Sequence, residues 1–108
     1  LEAMADAAAS VVDYFGGNAV YINVMKNLSI DCDCCDASAH LPCMEDIGIL
    51  ISLDPVAIDQ ACVDLVYACT DPGKPHLLER IESRNGLHTL EIAAEHGIGS
   101  REYELIEV

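Results

Sequence analysis

An aliphatic run that leads straight into a helix start is the feature that most limits how this chain can fold. Residues 47–52 are almost continuously apolar, which predicts a strand covered on both faces, as at the centre of an α/β sheet. Asp54 follows as a helix N-cap with Pro55 at the first helical position, and the apolar pattern continues to about Cys69. A buried strand and a helix in direct succession therefore predict the α/β class.

The remaining elements follow from the spacing of apolar residues and from turn signals. They are an amphipathic helix over 2–15 ended by Gly16-Gly17-Asn18, a strand over 20–27, short helices over 76–84 and 89–96, and an edge strand over 103–108. The predicted fold is a small mixed sheet of about three strands packed with three to four helices. We expect a single domain over 1–108 that is a fragment of a larger α/β protein, since the chain opens on Leu1 without an initiator Met.

A segment rich in cysteine and aspartate, at about residues 29–45, separates the two predicted strands. It contains Asp31-Cys32-Asp33-Cys34-Cys35-Asp36, followed by His40 and Cys43. Loops of this length without secondary structure are typically functional or disordered. Thiolates are soft ligands that suit zinc, copper(I) or iron–sulfur clusters. The segment is therefore a candidate metal or cluster site.

The spacing of the cysteines narrows the candidate ligands. The pattern Cys-x-Cys-Cys-x7-Cys matches neither a zinc ribbon nor a ferredoxin run. Adjacent cysteines seldom reach one metal together, so the predicted ligands are Cys32, Cys34 and one of His40 or Cys43. Calcium is disfavoured because the turn glycine and distal glutamate of an EF-hand are missing from this segment. The alternative is a loop of plain reduced thiols.

Asp59 occupies an unusual place in the predicted helix that follows Pro55. At 100° per residue it falls inside the apolar arc, between Val63 and Val66. A carboxylate there must be paired, hydrogen-bonded or protonated. Either it satisfies backbone donors of a nearby loop, or it supports the cysteine segment. Asn23, in the middle of the first strand, likewise needs a partner if its face is covered.

Composition excludes several kinds of partner. The 108-residue chain has a formal net charge of −14, which repels phosphate backbones and anionic membrane surfaces. We therefore expect no nucleic acid and no membrane as partner. The sequence contains neither an apolar run long enough to span a bilayer nor the basic flank of a signal peptide. Six cysteines are fewer than a disulfide scaffold of this size carries, so we predict a reducing, cytoplasmic compartment.

Several stretches together resemble a known family. They are Asp31-Cys32-Asp33-Cys34, Asp46-Ile47-Gly48-Ile49-Leu50, residues 52–61, Asp64-Leu65-Val66 and residues 97–106. In this order they are similar to uncharacterised bacterial and archaeal iron–sulfur centre proteins, the domain of unknown function 362 family. The resemblance implies the C-terminal part of a longer protein with a ferredoxin-like segment upstream. It carries over Cys32, Cys34, Asp46 and Asp59, whereas Cys35, His40 and Cys43 are not fixed features of the family.

Three functions are compatible with these features. The first is a redox-related module that contacts an iron–sulfur cluster or other metal, with the rest of the parent chain and a redox partner as its partners. The second is a non-enzymatic structural module that holds zinc or no metal. The third is an enzyme domain that uses Cys32 or Cys34 as a nucleophile, for which His40 is the nearest base in sequence. Whether the protein is an enzyme stays open at this point.

Overall fold

Four helices and one two-stranded antiparallel sheet form the part of the chain that the computed structural model describes, residues 1–30 and 43–108. The elements are α1 (Glu2–Phe15), β1 (Tyr21–Met25), β2 (Gly48–Ser52), α2 (Pro55–Ala68), α3 (Lys74–Ser83) and α4 (His88–Glu95). The α/β class is confirmed, and the four helices match the predicted ones closely. The third predicted strand is wrong, because residues 103–108 join no sheet.

Local signals explain where the two long helices stop and start. α1 ends at Gly16, whose left-handed φ of +56° lets its N–H reach the carbonyls of Val12 and Asp13. α2 begins at Asp54, whose side chain accepts hydrogen bonds from the N–H groups of Val56 and Ala57, both at 2.9 Å. The predicted C-cap and N-cap are both confirmed.

The two faces of the sheet differ sharply in their cover. One face, which includes Asn23, Met25 and Leu50, packs against α2. On the other face Ile22 lies opposite Ile51 and Val24 opposite Ile49. With Val20 and Leu53 these side chains form the outer sheet face, and each is 58–74% exposed. The prediction that residues 47–52 are covered on both faces is therefore wrong, because helices pack on one side of this sheet only in the described chain.

The buried side chains form two separate apolar clusters. The helical cluster joins α1, α2 and α4 and consists of Ala5, Val56, Leu90 and Ala93. The methionine–cysteine cluster lies under the sheet and is centred on Met25, Met44 and Val66. Cys43, Cys62 and Cys69 pack against it as half-buried side chains with free thiols. The first cluster closes the helical side of the molecule, and the second includes Met44 and contacts Leu28 and Cys43.

The C-terminal residues are held by side chains of α2. Gln60 is buried, and its Oε1 accepts a hydrogen bond from Arg101 Nε at 2.8 Å. Tyr103 donates its hydroxyl to Asp64 Oδ2 at 2.6 Å. These bonds fix the segment through α2 and not through a strand ladder with β2. Among the described helices, none is long and apolar enough to cross a membrane.

Candidate functional site

The structure describes half of the residues predicted to form the site. Cys32, Cys34 and His40 lie outside the described residues, as do the aspartates interleaved with them. Cys43, Asp46 and Asp59 lie within them. The structure describes the loop base, which we define as residues 25–28 and 43–47, where the chain enters and leaves the cysteine-rich segment.

Backbone hydrogen bonds join the two stretches of the loop base. Cys43 N–H donates to the Leu28 carbonyl at 2.7 Å, and Ile47 N–H donates to the Met25 carbonyl at 2.9 Å. Met25 is also the register partner of Gly48, so the loop base continues directly from the pairing of β1 with β2. Gly48 has a φ of +152°, which side-chain-bearing residues rarely adopt. A Cβ at Gly48 would meet no atom within 4 Å, so the backbone conformation and not a close contact favours glycine at this position.

Asp46 stabilises the turn that follows β1. Its Oδ1 accepts a hydrogen bond from Asn27 N–H at 2.8 Å. Asn27 has a left-handed φ of +53°, a conformation that asparagine tolerates better than most residues. The carboxylate therefore satisfies a backbone donor at a position where the chain turns away from the sheet, and this gives Asp46 a defined structural role at the loop base.

Cys43 is enclosed by the turn between α2 and α3. It is half-buried against the methionine–cysteine cluster. Its carbonyl oxygen lies so close to Gly73 that a Cβ there would approach it to 1.5 Å. Only glycine fits this contact without a backbone shift. The turn and the loop base are therefore packed directly on each other.

Asp71 stabilises the same turn and is not among the predicted site residues. Its Oδ2 accepts a hydrogen bond from Glu45 N–H at 3.0 Å, and its Oδ1 accepts one from Gly73 N–H at 2.8 Å. These two backbone donors, first that of Glu45, lower the pKa of Asp71. The Asp-Pro-Gly sequence signals the turn itself, but nothing in it indicates the bond to Glu45.

An acidic cavity of about 380 Å³ lies beside the loop base. Its lining includes three carboxylate residues and one cysteine, and is made by Met44, Glu45, Asp46, Ile47, Cys69, Thr70, Asp71 and Pro72. Oxygen and sulfur ligands of this kind attract cations. Within residues 1–30 and 43–108, however, no three His, Cys, Asp or Glu side chains come together in a way that could hold a metal ion.

The prediction that Asp59 lies inside the apolar arc of α2 is wrong. Asp59 is exposed, whereas the neighbouring Gln60 is 8% exposed. Gln60 is covered by the C-terminal segment, whose Arg101 donates a hydrogen bond to it, whereas Asp59 is exposed beside Asn23 of β1. Asp59 nevertheless has a partner, since Asn23 Nδ2 donates to its Oδ1 at 2.7 Å. The expectation that Asn23 needs a partner is confirmed.

Asn23 also donates to Cys62 Sγ at 3.3 Å. Burial, together with the nearby charge of Asp59, raises the pKa of the Cys62 thiol, although the Asn23 bond acts in the opposite direction. A thiol with a raised pKa is a poor nucleophile at neutral pH. Cys62 packs against the methionine–cysteine cluster as a half-buried side chain.

The fold and the loop base together define a class: a small mixed α/β unit in which a cysteine-bearing segment is closed at its base by paired backbone. The family model for the domain of unknown function DUF362 matches residues 1–64, and the chain belongs to this family. The matched region contains α1, the sheet, the loop base and the first ten residues of α2. No curated protein and no solved structure matches the chain.

Proposed function

We propose that this chain is the metal- or cluster-contacting part of an iron–sulfur protein with a redox role in the cytoplasm. Cys32, Cys34 and one of His40 or Cys43 supply the ligands, and Asp46 and Asp59 support them. The rest of the parent chain, including a ferredoxin-like segment, and a redox partner complete the system. An iron–sulfur cluster supplies one-electron transfer, and zinc in the same place has a structural role.

The observation that supports this proposal best is the closure of the loop base. The segment that carries Cys32, Cys34 and His40 starts and ends on stretches that are hydrogen-bonded to each other at Cys43–Leu28 and Ile47–Met25. Fixing the two ends of a loop lowers the entropy that ligand side chains lose when they converge on one ion. Thiolates with an imidazole are a donor set that suits zinc or iron–sulfur clusters.

The surroundings of Cys43 favour the same assignment. The methionine–cysteine cluster shields one side of Cys43 from water, and low polarity strengthens the bond between a thiolate and a cation. Glu45 and Asp46 follow in sequence and line the acidic cavity. Negative charge beside a cluster disfavours the addition of an electron, so we expect a low reduction potential.

Metal analysis of protein prepared without oxygen tests the proposal. We expect stoichiometric iron, with a visible charge-transfer absorption that bleaches on addition of dithionite. The double variant Cys32→Ser, Cys34→Ser should lose both. Cys62→Ser is the matched control, because Cys62 packs against the methionine–cysteine cluster from α2 and does not line the acidic cavity, and this variant should keep the metal.

Other results of the metal analysis would favour the structural module or the enzyme domain. Zinc that is lost in the double variant would replace the redox role with a structural one. Native protein free of metal after gentle preparation would overturn both metal-bound functions. Rapid labelling by a thiol reagent of Cys32 or Cys34 alone, at a pH well below the ordinary cysteine pKa, would then identify the nucleophile of an enzyme domain.

A further inference from the structure

A groove of about 380 Å³ runs between the free edge of β2 and the C-terminal residues 103–108. Buried side chains of α2 form its floor, namely Ala57, Ile58 and Ala61. β2 forms one wall through Ile49 and Ile51, and the opposite wall is formed by Tyr103 and Leu105. The groove lies apart from the loop base and shares no lining residue with the acidic cavity there.

The wall formed by β2 is an unpaired strand edge. β1 pairs with β2 on one side, and no other strand of the described chain pairs with β2. Such an edge carries a row of N–H and C=O groups without partners in the sheet and is a template for another strand. A compact apolar ligand would leave these groups unsatisfied, whereas an extended chain can pair with them.

The opposite wall is held in place by the hydrogen bonds of the C-terminal segment to α2. Tyr103 bonds to Asp64 at 2.6 Å, and Arg101 bonds to the buried Gln60 at 2.8 Å. Gln60 in turn donates to Asp64 at 2.9 Å, so one connected network anchors the start of the segment. The groove is therefore bounded on both sides by positioned chain.

The chemistry of the groove indicates what kind of strand it takes. Its small floor residues, Ala57 and Ala61, leave room for side chains at alternate positions of an extended segment. Glu104 is the charged residue of the lining, and Glu102 and Glu107 lie on either side of it in sequence. A second copy of this chain would bring its own net charge of −14 and be repelled. A complementary segment is apolar at alternate positions and carries Lys or Arg at its ends.

We propose that this groove binds an extended segment of a partner protein, which adds to β2 as a third strand. The added strand pairs with the backbone of β2 and places alternate apolar side chains on the α2 floor. Its basic ends lie near the glutamates of the C-terminal segment. The outer sheet face continues across the added strand, since Ile49 and Ile51 belong to both surfaces.

Peptide binding to the 108-residue chain tests this proposal. The probe is a fluorescent peptide of about seven alternating valine and threonine residues with two lysines at each end, close to the common strand length. We expect a Kd below about 100 μM by fluorescence anisotropy. Raising the salt concentration from about 0.05 M to 0.5 M should weaken binding. The same peptide with a central proline should not bind, because proline lacks the N–H that pairs with β2.

Two variants, at side chains of similar exposure, distinguish binding in the groove from nonspecific binding to apolar surface. Leu105 is 56% exposed in the groove wall, and Val11 is 58% exposed on α1, outside it. We expect Leu105→Gln to weaken binding by at least about fivefold and Val11→Gln to leave it unchanged. Equal binding of the proline peptide, or an equal effect of the two variants, would overturn the proposal. A dimer by light scattering that Leu105→Gln dissociates, without peptide binding, would assign the groove to a second copy instead.

Discussion

The two apolar clusters of this protein differ in composition and in what surrounds them. The helical cluster is aliphatic, and carboxylate–histidine pairs join its helices at the surface: His88 with Glu2 at 3.3 Å and His96 with Asp6 at 2.6 Å. The methionine–cysteine cluster is rich in sulfur. At its margin, carboxylates accept hydrogen bonds from backbone N–H groups, as Asp71 does from Glu45 and Gly73.

This difference indicates that the helical cluster mainly determines the stability of the fold, whereas the methionine–cysteine cluster borders the predicted site. Aliphatic side chains with defined rotamers make a well-specified core, whereas methionine and cysteine adapt to irregular spaces. Changes in the helical cluster should therefore affect the free energy of unfolding and leave the loop base intact. Changes in the methionine–cysteine cluster should also alter the reactivity of the thiols around it.

The largest effect is expected from Leu90→Ala. Leu90 is 8% exposed in the helical cluster, and its truncation should lower the free energy of unfolding by about 3 kcal/mol. Urea denaturation measures this loss, and labelling of Cys43 under native conditions should keep its original rate. Faster labelling of Cys43 in this variant would show that the two clusters are coupled.

Met44→Ala should have the next largest effect. Met44 is 5% exposed, and we expect a loss of about 2 kcal/mol, because the flexible neighbours can partly fill the space. Unlike Leu90→Ala, this change should speed the reaction of Cys43 and Cys69 with a thiol reagent, since both thiols border the same cluster. Unaltered labelling rates with normal folding would refute the separate role of this cluster.

Asp71→Ala should lower thermal stability by a smaller amount, and the loss should depend on pH. The folded-state pKa of Asp71 is lowered by its backbone donors, from an ordinary value of 3.8. Its contribution to stability is therefore present above the ordinary pKa and lost as the pH falls through the lower folded value. We expect the variant to melt a few degrees below the parent protein at neutral pH, with the gap closing in acid. The exposed Glu79→Ala is the control, and a gap independent of pH would contradict this account.

His88→Gln should have the smallest effect, with the opposite pH dependence. Hydrogen bonds to Glu91 and then Glu2 raise the folded-state pKa of His88 above its ordinary value of 6.5. Its contribution is present below that ordinary value and lost as the pH rises through the higher folded value. Thermal melts from about pH 5 to pH 9 should show a difference only at the acidic end. His76→Gln, on the exposed side of α3, should match the parent protein throughout; a His88 difference that persists at alkaline pH would exclude titration as its cause.

Several elements of the fold are specified by local chemistry and can be predicted from neighbouring residues alone. Gly16 ends α1 because it adopts the left-handed region easily, and Asp54-Pro55 starts α2 because the carboxylate caps free N–H groups. The DUF362 resemblance was likewise carried by residues that a single sequence displays, and the match over residues 1–64 confirms it. The predicted ligands Cys32, Cys34 and His40 stay predictions, because they lie outside the described residues.

Which side of each element is covered depends on long-range packing, and local sequence does not specify it. Periodicity placed Asp59 inside the apolar arc of α2, but the fold covers Gln60 with the C-terminal segment and leaves Asp59 exposed beside Asn23. The residue pattern of an aliphatic strand does not distinguish one covered face from two. The exposed outer face of β2 could therefore not be predicted. The bond from Glu45 to Asp71 joins residues 26 positions apart, and such contacts depend on how the chain folds back on itself.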